Sequence, residues 1–198
     1  SNKPYCLNSP IEITYTSRAL ESMRCYNHFY KIIAPVMQAF PNINLTIVGK
    51  DKPVYRPVAS SDTTLLEESM NFFHRLGLRE KITYHPRLDP VSYVNLLSKS
   101  HIHFYFSRPF IASWSLLEAM ASGCCIVSNF TPMITEFLTH KSNALIVDST
   151  KTDQSAREIV KYFSSENLIR TIALNARSYA SKYDFRDQLT KLREFIAY

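Results

Sequence analysis

The sequence predicts an α/β fold, namely a Rossmann-like doubly wound parallel sheet of about six strands with C-terminal helices. Up to residue 148, short β-branched runs alternate with segments of helical periodicity, and beyond residue 153 only helical periodicity remains. Apolar residues make up 45% and charged residues 20% of the 198 residues, the proportions of an ordinary globular domain. This length suffices for one well-buried core.

The first half of the chain alternates three predicted strands with three predicted helices. The strand runs are rich in Ile, Val and Thr, whereas the helical runs repeat apolar residues every three or four positions. Pro35 predicts a kink in the first helix, Gly77 closes the second as its C-cap, and Asp89 opens the third. The predicted strands are 11–16, 45–48 and 82–85, and the predicted helices are 26–40, 63–76 and 90–98, with a long loop at 51–62.

The second half repeats this rhythm and then becomes entirely helical. Gly123 ends the first helix of this half, and Cys124 and Cys125 lie inside an apolar run, where free cysteine behaves as a small buried hydrophobe. We therefore expect both cysteines to fill the core. The predicted strands are 102–106, 125–128 and 144–147, and the predicted helices are 115–121, 133–138, 153–164, 166–183 and 185–198.

The composition disfavours several classes of protein. The three glycines are widely separated, so the Gly-x-Gly-x-x-Gly motif of a dinucleotide-binding dehydrogenase cannot exist. The four cysteines form no Cys-x-x-Cys pair, and His101 and His103 alternate on one strand face as packing residues, so no metal site is predicted. The 12 tyrosines and 12 phenylalanines form no stacking motif of a known nucleic-acid-binding module, so no nucleic-acid partner is expected.

The sequence predicts neither a membrane span nor a signal peptide. No run approaches the ~18 apolar residues that a membrane span needs. The first residues of the chain lack the basic and apolar regions of a signal peptide. We expect a cytoplasmic protein or a piece of a larger cytoplasmic protein.

The carboxyl ends of the predicted strands carry positive charge. In an open parallel sheet, ligands bind beyond these ends. Four of the six ends hold a cation, namely Arg18, Lys50, Arg87 with the neighbouring His85, and Arg108. The net charge of +6 is otherwise scattered, so this clustering favours an anionic ligand such as a phosphate over a merely solvated basic rim.

Residues 107–128 form the most informative segment, with a strand end, an irregular loop, a helix and a second strand. The helix starts near Ser113 or Ser115, where free N–H groups and the positive end of the helix dipole favour a phosphate. Alternatively, these serines only cap the helix. Glu118 lies three residues beyond Ser115 and would complete a capping box. Its neighbours are apolar, so its carboxylate must face an open edge or meet a specific donor.

The run Ser-Leu-Leu-Glu-Ala-Met-Ala-Ser-Gly at 115–123 resembles the signature of retaining GT-B glycosyltransferases of group 1, the family-four-like enzymes. Further likenesses occur, in the order that the family requires, at 15–24, 48–49, 131–136 and 142–148. The resemblance implies that 1–198 is a single nucleotide-sugar-binding domain. This domain would be the C-terminal half of a GT-B enzyme whose N-terminal acceptor domain is absent.

The resemblance also assigns roles to individual residues. Glu118 matches the second glutamate of the family's Glu-x7-Glu motif, which would contact the ribose hydroxyls, and is the candidate catalytic residue. Arg18 and Arg24 match the cations that contact the diphosphate, a task suited to guanidinium groups; the alternative for Arg24 is a surface cation beside a helix. The nucleotide and diphosphate set is Arg18, Arg24, Lys50, His85, Arg87, Ser113, Ser115 and Glu118, and the donor-sugar loop is Phe110, Ile111, Ala112, Ser113 and Trp114.

The chain departs from the family pattern in that loop. Phe110 stands eight positions before Glu118, where the first motif glutamate belongs, and Ile111 and Ser113 replace two glycines. Three interpretations remain open. The chain belongs to a subfamily that binds a different, less polar sugar such as a deoxyhexose, it orients the donor with another residue, or it has lost catalysis.

The function implied by the resemblance is transfer of a hexose or deoxyhexose from a nucleoside diphosphate sugar to an acceptor hydroxyl, in bacterial polysaccharide or glycoconjugate synthesis. No metal or other cofactor is expected, because positive groups of the protein would neutralise the diphosphate. A saccharide or lipid-linked acceptor would bind the missing domain, and the full-length protein would be able to associate peripherally with a membrane. The isolated domain would bind nucleotide weakly and be inactive. The alternatives are an inactive nucleotide-binding or scaffold domain, and a nucleotide-sugar epimerase of the same architecture.

Overall fold

A six-stranded parallel sheet lies at the centre of the protein. The computed structural model describes residues 4–52, 63–109, 112–184 and 186. The strands are β1 (Ile11–Ala19), β2 (Ile43–Lys50), β3 (Ile82–His85), β4 (Ile102–Tyr105), β5 (Cys125–Asn129) and β6 (Leu145–Val147).

The strand order is β3-β2-β1-β4-β5-β6. The sheet therefore grows from β1 towards one edge and from β4 towards the other, and the direction in which strands are added reverses between these two paired strands. At this junction Ile13 pairs with Ile102, and Tyr15 pairs with Phe104. The predicted doubly wound fold is confirmed, and its order places a topological switch point at the carboxyl ends of β1 and β4.

Six helices connect or follow the strands in the described part of the chain. They are α1 (Tyr26–Ala39), α2 (Leu65–Arg75), α3 (Pro90–Lys99), α4 (Trp114–Ala121), α5 (Thr152–Phe163) and α6 (Glu166–Ala180). Four 3-10 turns accompany them, at Ser22–Arg24, Arg79–Lys81, Pro132–Glu136 and Ser181–Tyr183. The predicted helix at 185–198, apart from residue 186, and the predicted loop beyond residue 52 lie outside the described residues.

The structure shifts several predicted boundaries. β1 continues to Ala19, where it pairs with Lys50 after an irregularity. The segment predicted as a helix at 133–138 is the 3-10 turn Pro132–Glu136, and the helix predicted to reach residue 183 ends at Ala180. These differences are confined to element ends, where helices commonly tighten into 3-10 turns.

Local capping interactions explain where the helices begin and end. Thr64 forms a capping box with Glu67 at the start of α2, and Asp89 accepts from two N–H groups at the start of α3. Gly77 and Gly123 follow the C-cap residues with φ of +69° and +75°, a left-handed conformation that glycine adopts at little cost. Both glycines therefore follow their helices one position beyond the C-cap, whereas Gly77 was predicted as the C-cap itself.

The helices pack on both faces of the sheet. Along β4 the side chains alternate, so that Phe104 contributes to the core beneath α1, α2 and α5, whereas Tyr105 contributes to the core beneath α3 and α4. Cys124 and Cys125 are fully buried, form no disulfide and lie on opposite faces of the sheet, which confirms their predicted role as core residues.

The described residues contain no helix that is both long and apolar enough to cross a membrane. His103 is buried and its Nδ1 lies 2.9 Å from the Thr14 hydroxyl, while Nδ1 of His101 accepts from the backbone N–H of Glu12 at 3.0 Å. Both histidines therefore engage neighbouring groups of the sheet, as the packing interpretation predicts. Within the described ranges, no cluster of three or more His, Cys, Asp or Glu side chains is arranged to hold a metal ion.

Candidate functional site

An open cavity of about 300 Å³ lies at the carboxyl ends of β1 and β4. The ends of the two strands and the start of α4 meet here because the chain leaves β1 and β4 towards opposite faces of the sheet. The cavity is lined by Thr16, Ser17, Arg18, Arg24, Val48, Tyr93, Tyr105, Phe106, Ser113, Trp114, Ser115 and Glu118. Six of these residues belong to the predicted set, namely Arg18, Arg24, Ser113, Trp114, Ser115 and Glu118.

The positive charge of the cavity comes from Arg18 and Arg24. Arg18 is exposed near the end of β1, and Arg24 is half-buried at the end of a 3-10 turn. The Tyr15 hydroxyl donates to the backbone carbonyl of Arg24 at 2.8 Å, and Nη1 of Arg24 donates to the Ser107 hydroxyl at 3.4 Å. These contacts tie the Arg24 backbone to β1 and its side chain to the segment that follows β4.

The start of α4 contributes the two predicted serines. Ser113 is the N-cap, and its hydroxyl accepts from the Ser115 backbone N–H at 3.4 Å and from the Ser115 hydroxyl at 3.0 Å. The Ser113 N–H donates to the Tyr105 hydroxyl at 2.9 Å, which fixes the helix start against β4. Ser113 thus caps the helix, as the capping interpretation predicts, and it also lines the cavity.

The predicted capping box between Ser115 and Glu118 does not form. Because Ser113 is the N-cap, Ser115 lies inside the helix, and the Glu118 side chain has no helix-start N–H to reach back to. Instead Leu116, Ala119 and Met120 form the buried side of α4, and Glu118 occupies its exposed side. Its carboxylate therefore meets the expectation of an open edge, and that edge borders the cavity.

The sequence interpretation missed a tyrosine from α3. Tyr93 is half-buried, lines the cavity, and its hydroxyl lies 3.2 Å from the Thr16 hydroxyl at the end of β1. Burial raises the pKa of Tyr93 to about 12; the Thr16 hydrogen bond lowers it, whereas the charge and the hydrogen bond of Glu118 raise it. The sequence offered one signal for Tyr93 as a site residue, namely its position in the first turn of the helix that follows β3.

Aromatic side chains form part of the cavity wall. Tyr105 and Phe106 at the end of β4 are buried, whereas Trp114 is 80% exposed although it lines the cavity. A large apolar surface left in water at the rim of a cavity commonly contacts a ligand or a partner. Tyr105 and Phe106 were not predicted as site residues, since their apolar strand pattern also fits a purely structural role.

Four other predicted residues do not line the cavity. Lys50 is exposed at the end of β2, and His85 and Arg87 lie at and beyond the end of β3, which is the edge strand and two strands away from β1. Ala112 is half-buried before the helix cap and also lies outside the lining. Phe110 and Ile111 fall outside the described residues.

The chain between β4 and α4 also contacts the turn that carries Arg24. The backbone N–H of Arg108 donates to the Met23 carbonyl at 2.9 Å. The Arg108 side chain is exposed and is not part of the cavity lining. The charge of Arg108 acts on His28 of α1. Burial lowers the pKa of this histidine, the charges of Lys31 and Arg108 lower it further, and the charge of Asp148 raises it.

Comparison with known families agrees with this geometry. The profile of the family described as "Glycosyl transferases group 1" matches residues 7–179, which is most of the chain. The chain belongs to this family. The match covers all the described elements that line the cavity, so the site lies inside the glycosyltransferase domain.

Solved glycosyltransferases share the fold of this domain. The C-terminal domain of the group 1 family protein LpcC from Francisella tularensis has a TM-score of 0.73 at 16% identity, over 88% of this chain and 86% of that one. HepE of Anabaena, in complex with UDP and glucose, has a TM-score of 0.76 at 18% identity, over 96% of this chain and 49% of that one. The pneumococcal O-GlcNAc transferase GtfA, in complex with UDP and GlcNAc, has a TM-score of 0.75 at 15% identity, over 100% of this chain and 37% of that one.

These similarities establish the C-terminal domain of the GT-B architecture as the fold of this glycosyltransferase chain. The chain spans about half of the HepE protein that it resembles and less of GtfA. No curated protein matches the sequence.

Proposed function

We propose that this domain binds the donor of a glycosyltransferase, a nucleoside diphosphate sugar from which a hexose or deoxyhexose is transferred to an acceptor hydroxyl. The cavity at the carboxyl ends of β1 and β4 carries this proposal, because it combines two arginines, a helix start and a carboxylate. Arginine and the helix start suit a diphosphate. A carboxylate one turn into the same helix suits the paired hydroxyls of a ribose.

In this proposal Arg18 and Arg24 stabilise the leaving group. When the glycosidic bond to the diphosphate breaks, negative charge accumulates on the departing phosphate oxygen. Guanidinium groups and helix N–H groups placed beside that oxygen stabilise the charge in the transition state more than in the ground state. The link between Arg24 and Ser107 at 3.4 Å favours one orientation of this arginine before the donor arrives. On this basis the reaction needs no metal ion, and the stereochemistry follows the retaining enzymes that the motif resembles.

The sugar would extend from the diphosphate towards the loop before α4, with Trp114 beside it. The exposed indole offers an apolar surface for one sugar face, which agrees with a hexose or a less polar deoxyhexose. HepE and GtfA were solved with UDP, so UDP is the first nucleotide to test. Lys50, His85 and Arg87 stay candidates for the outer part of the donor site.

The whole protein would contain a second, N-terminal domain that holds a saccharide or lipid-linked acceptor. We assign it to the cytoplasm, to bacterial polysaccharide or glycoconjugate synthesis, and to peripheral contact with a membrane. The domain alone would bind nucleotide but turn over poorly, because the acceptor contacts would come from the other domain.

A nucleotide screen tests the donor-binding proposal. Thermal unfolding is recorded with UDP, GDP, dTDP and the corresponding nucleosides. A nucleoside diphosphate at 100 times its dissociation constant should stabilise the fold by about 2.7 kcal/mol, whereas the nucleoside should stabilise it less because it lacks the diphosphate. The absence of any shift with all three diphosphates at millimolar concentration would refute the proposal.

The second candidate is a nucleotide-binding or scaffold domain without turnover, which Phe110 favours because it replaces the first motif glutamate. The absence of a thermal shift with every nucleotide would favour a scaffold, whereas an inactive domain that still binds nucleotide is separated from the enzyme only by activity. The full-length protein is incubated with the donor of the base that binds, and release of the nucleoside diphosphate is followed with and without saccharide acceptors. Release that depends on Glu118 supports the enzyme, and binding without release supports the scaffold.

A further inference from the structure

Tyr93 enters the cavity from a firmly anchored helix start. Asp89 accepts from the N–H groups of Val91 and Ser92, each at 3.0 Å, and the Tyr93 N–H donates to the Asp89 carbonyl at 2.9 Å. Val91 is 70% exposed on the same turn, whereas Tyr93 is half-buried and lines the cavity. The first turn of α3 thus directs the phenol inwards while a neighbouring side chain faces solvent.

The hydroxyl of Tyr93 lies 3.2 Å from the buried Thr16 hydroxyl. Glu118 lines the same cavity, and its charge and hydrogen bond are among the causes that raise the pKa of Tyr93. Burial is the main cause that raises the pKa of Tyr93 to about 12, so the phenol keeps its proton at neutral pH. A phenol has one proton to donate, and a carboxylate can only accept. The chemistry therefore favours Thr16 as donor to Tyr93, and Tyr93 as donor to Glu118.

A hydrogen bond from Tyr93 would restrict the Glu118 side chain before a ligand binds. Glu118 is exposed on α4, and a free glutamate side chain samples several rotamers that a ligand would have to order on binding. A hydrogen bond that holds the carboxylate in its binding orientation reduces this loss. The carboxylate has two oxygens and about four acceptor positions, so a bond from Tyr93 leaves room for two ribose hydroxyls.

We propose that Tyr93 is a positioning residue that, supported by Thr16, holds the Glu118 carboxylate in the orientation that accepts the ribose hydroxyls of the donor nucleotide. The inference rests on the proposed donor-binding function. It predicts that the preference for ribonucleotides over dideoxynucleotides depends on the Tyr93 hydroxyl, although this hydroxyl does not contact the nucleotide.

The test is a calorimetric titration of the 198-residue chain with UDP and GDP and with their 2′,3′-dideoxy counterparts. Tyr93→Phe removes the hydroxyl and keeps the ring, so the packing of α3 should persist, as equal melting temperatures would verify. We expect Tyr93→Phe to weaken binding of the ribonucleotide about tenfold, the scale of a hydrogen bond to a charged group, and to change dideoxynucleotide binding less than about twofold. Tyr162→Phe, on α5 and outside the cavity lining, is the matched control and should change neither affinity.

A double-mutant cycle identifies the route of the effect. If Tyr93 acts through Glu118, the variant with both Tyr93→Phe and Glu118→Gln should bind the ribonucleotide no more weakly than Glu118→Gln alone. Losses that multiply, or an equal loss for ribo- and dideoxynucleotides in Tyr93→Phe, would overturn the inference. Wild-type protein that binds none of the four probes would overturn the donor-binding function and this inference with it. If Glu118→Gln abolishes the wild-type preference for ribonucleotides and Tyr93→Phe leaves it intact, the inference about Tyr93 is overturned and the donor-binding function is not.

Discussion

Arg24 lines the cavity from a 3-10 turn that three hydrogen bonds connect to neighbouring segments. The Tyr15 hydroxyl donates to its carbonyl, Ser107 accepts from its guanidinium, and the Arg108 N–H donates to the carbonyl of the preceding Met23. A phosphate-binding side chain held in this way loses less conformational entropy on binding than a free surface arginine. These contacts favour a ligand-binding role for Arg24 over that of a surface cation.

Arg24→Ala should therefore weaken UDP binding and spare uridine binding. One lost hydrogen bond between charged groups corresponds to about 1.5–3 kcal/mol, or roughly a tenfold to hundredfold rise in the dissociation constant. Uridine has no diphosphate, so its affinity should stay within about twofold of the wild type. Isothermal titration calorimetry measures both constants. Arg170→Ala, an exposed position on α6, should leave them unchanged, and equal losses for UDP and uridine in Arg24→Ala would contradict the assignment.

Two histidines should make the stability of the fold depend on pH. Burial lowers the pKa of His28, and Lys31 and Arg108 add to this effect. Burial likewise lowers the pKa of His140, with Lys141 adding to it. Because both folded-state pKa values lie below the unfolded value of about 6.5, the unfolded chain binds more protons in this range. The free energy of unfolding must then fall as the pH drops through the unfolded pKa.

Urea unfolding at about pH 7.5 and about pH 5.5 checks this sign. The wild type should lose stability on acidification, and His28→Gln should lose less, because the titrating group is gone. His74→Gln is the comparison, since His74 is exposed on α2. An equal loss in the wild type and in His28→Gln would show that His28 does not contribute to the pH dependence.

At the scale of elements, the end of β2 packs closely against the end of β1 beside the cavity. Gly49 near the end of β2 leaves so little room that an added Cβ would lie 2.9 Å from Leu20 Cδ2 and 3.0 Å from the Ser17 carbonyl oxygen. Ser17 lines the cavity together with Val48, the residue before Gly49. A side chain at position 49 would thus push on the strand end that carries Arg18.

Gly49→Ala should destabilise the fold by about 1–3 kcal/mol, the cost of overpacking a tight site. Gly77→Ala is a useful comparison because a Cβ there meets nothing within 4 Å and only the left-handed φ of +69° opposes it. That conformation costs a residue other than glycine about 1–2 kcal/mol. Chemical denaturation gives both values, and Gly49→Ala should in addition weaken UDP binding. A Gly49→Ala protein with wild-type stability would contradict the packing argument.

The elements themselves were largely predictable, and their arrangement was not. Strand composition and capping residues such as Asp89 and Gly77 locate the helices and strands, because these signals act within a few residues of sequence. From the sequence alone, Ser113 and Ser115 were equally good candidates for the N-cap. In the structure Ser113 is the N-cap, and its N–H donates to the Tyr105 hydroxyl, a contact between separate elements of the fold. Such contacts between distant segments leave no local signal.

The same limit applies to the site. The resemblance to the family pointed to Glu118 and Arg24, and the structure places both on the cavity. The resemblance also grouped His85 and Arg87 with them, as residues that follow the third strand and contact the nucleotide. The order β3-β2-β1-β4 puts their strand at the sheet edge, away from the switch point. Tyr93 was missed because a side chain that reaches a site from a neighbouring helix has no motif of its own.

At the level of the whole molecule, the cavity opens at the carboxyl ends of β1 and β4, where the strand order reverses, and the helices pack on the two faces of the sheet. The exposed Trp114 and Phe130, which is 63% exposed after β5, lie at carboxyl ends of strands or in the segments that follow them. In the proposed two-domain enzyme this edge would face the acceptor domain. The described domain would then supply the donor site and the charge that stabilises the leaving group.

A crystal structure of the chain soaked with UDP, or with whichever nucleoside diphosphate binds most tightly, tests this donor site most directly. We expect the diphosphate beside Arg24 and the start of α4, and the ribose hydroxyls within about 3 Å of the Glu118 carboxylate. A nucleotide bound elsewhere on the protein, with Glu118 turned to solvent and the cavity vacant, would contradict the assignment of the cavity as a donor site.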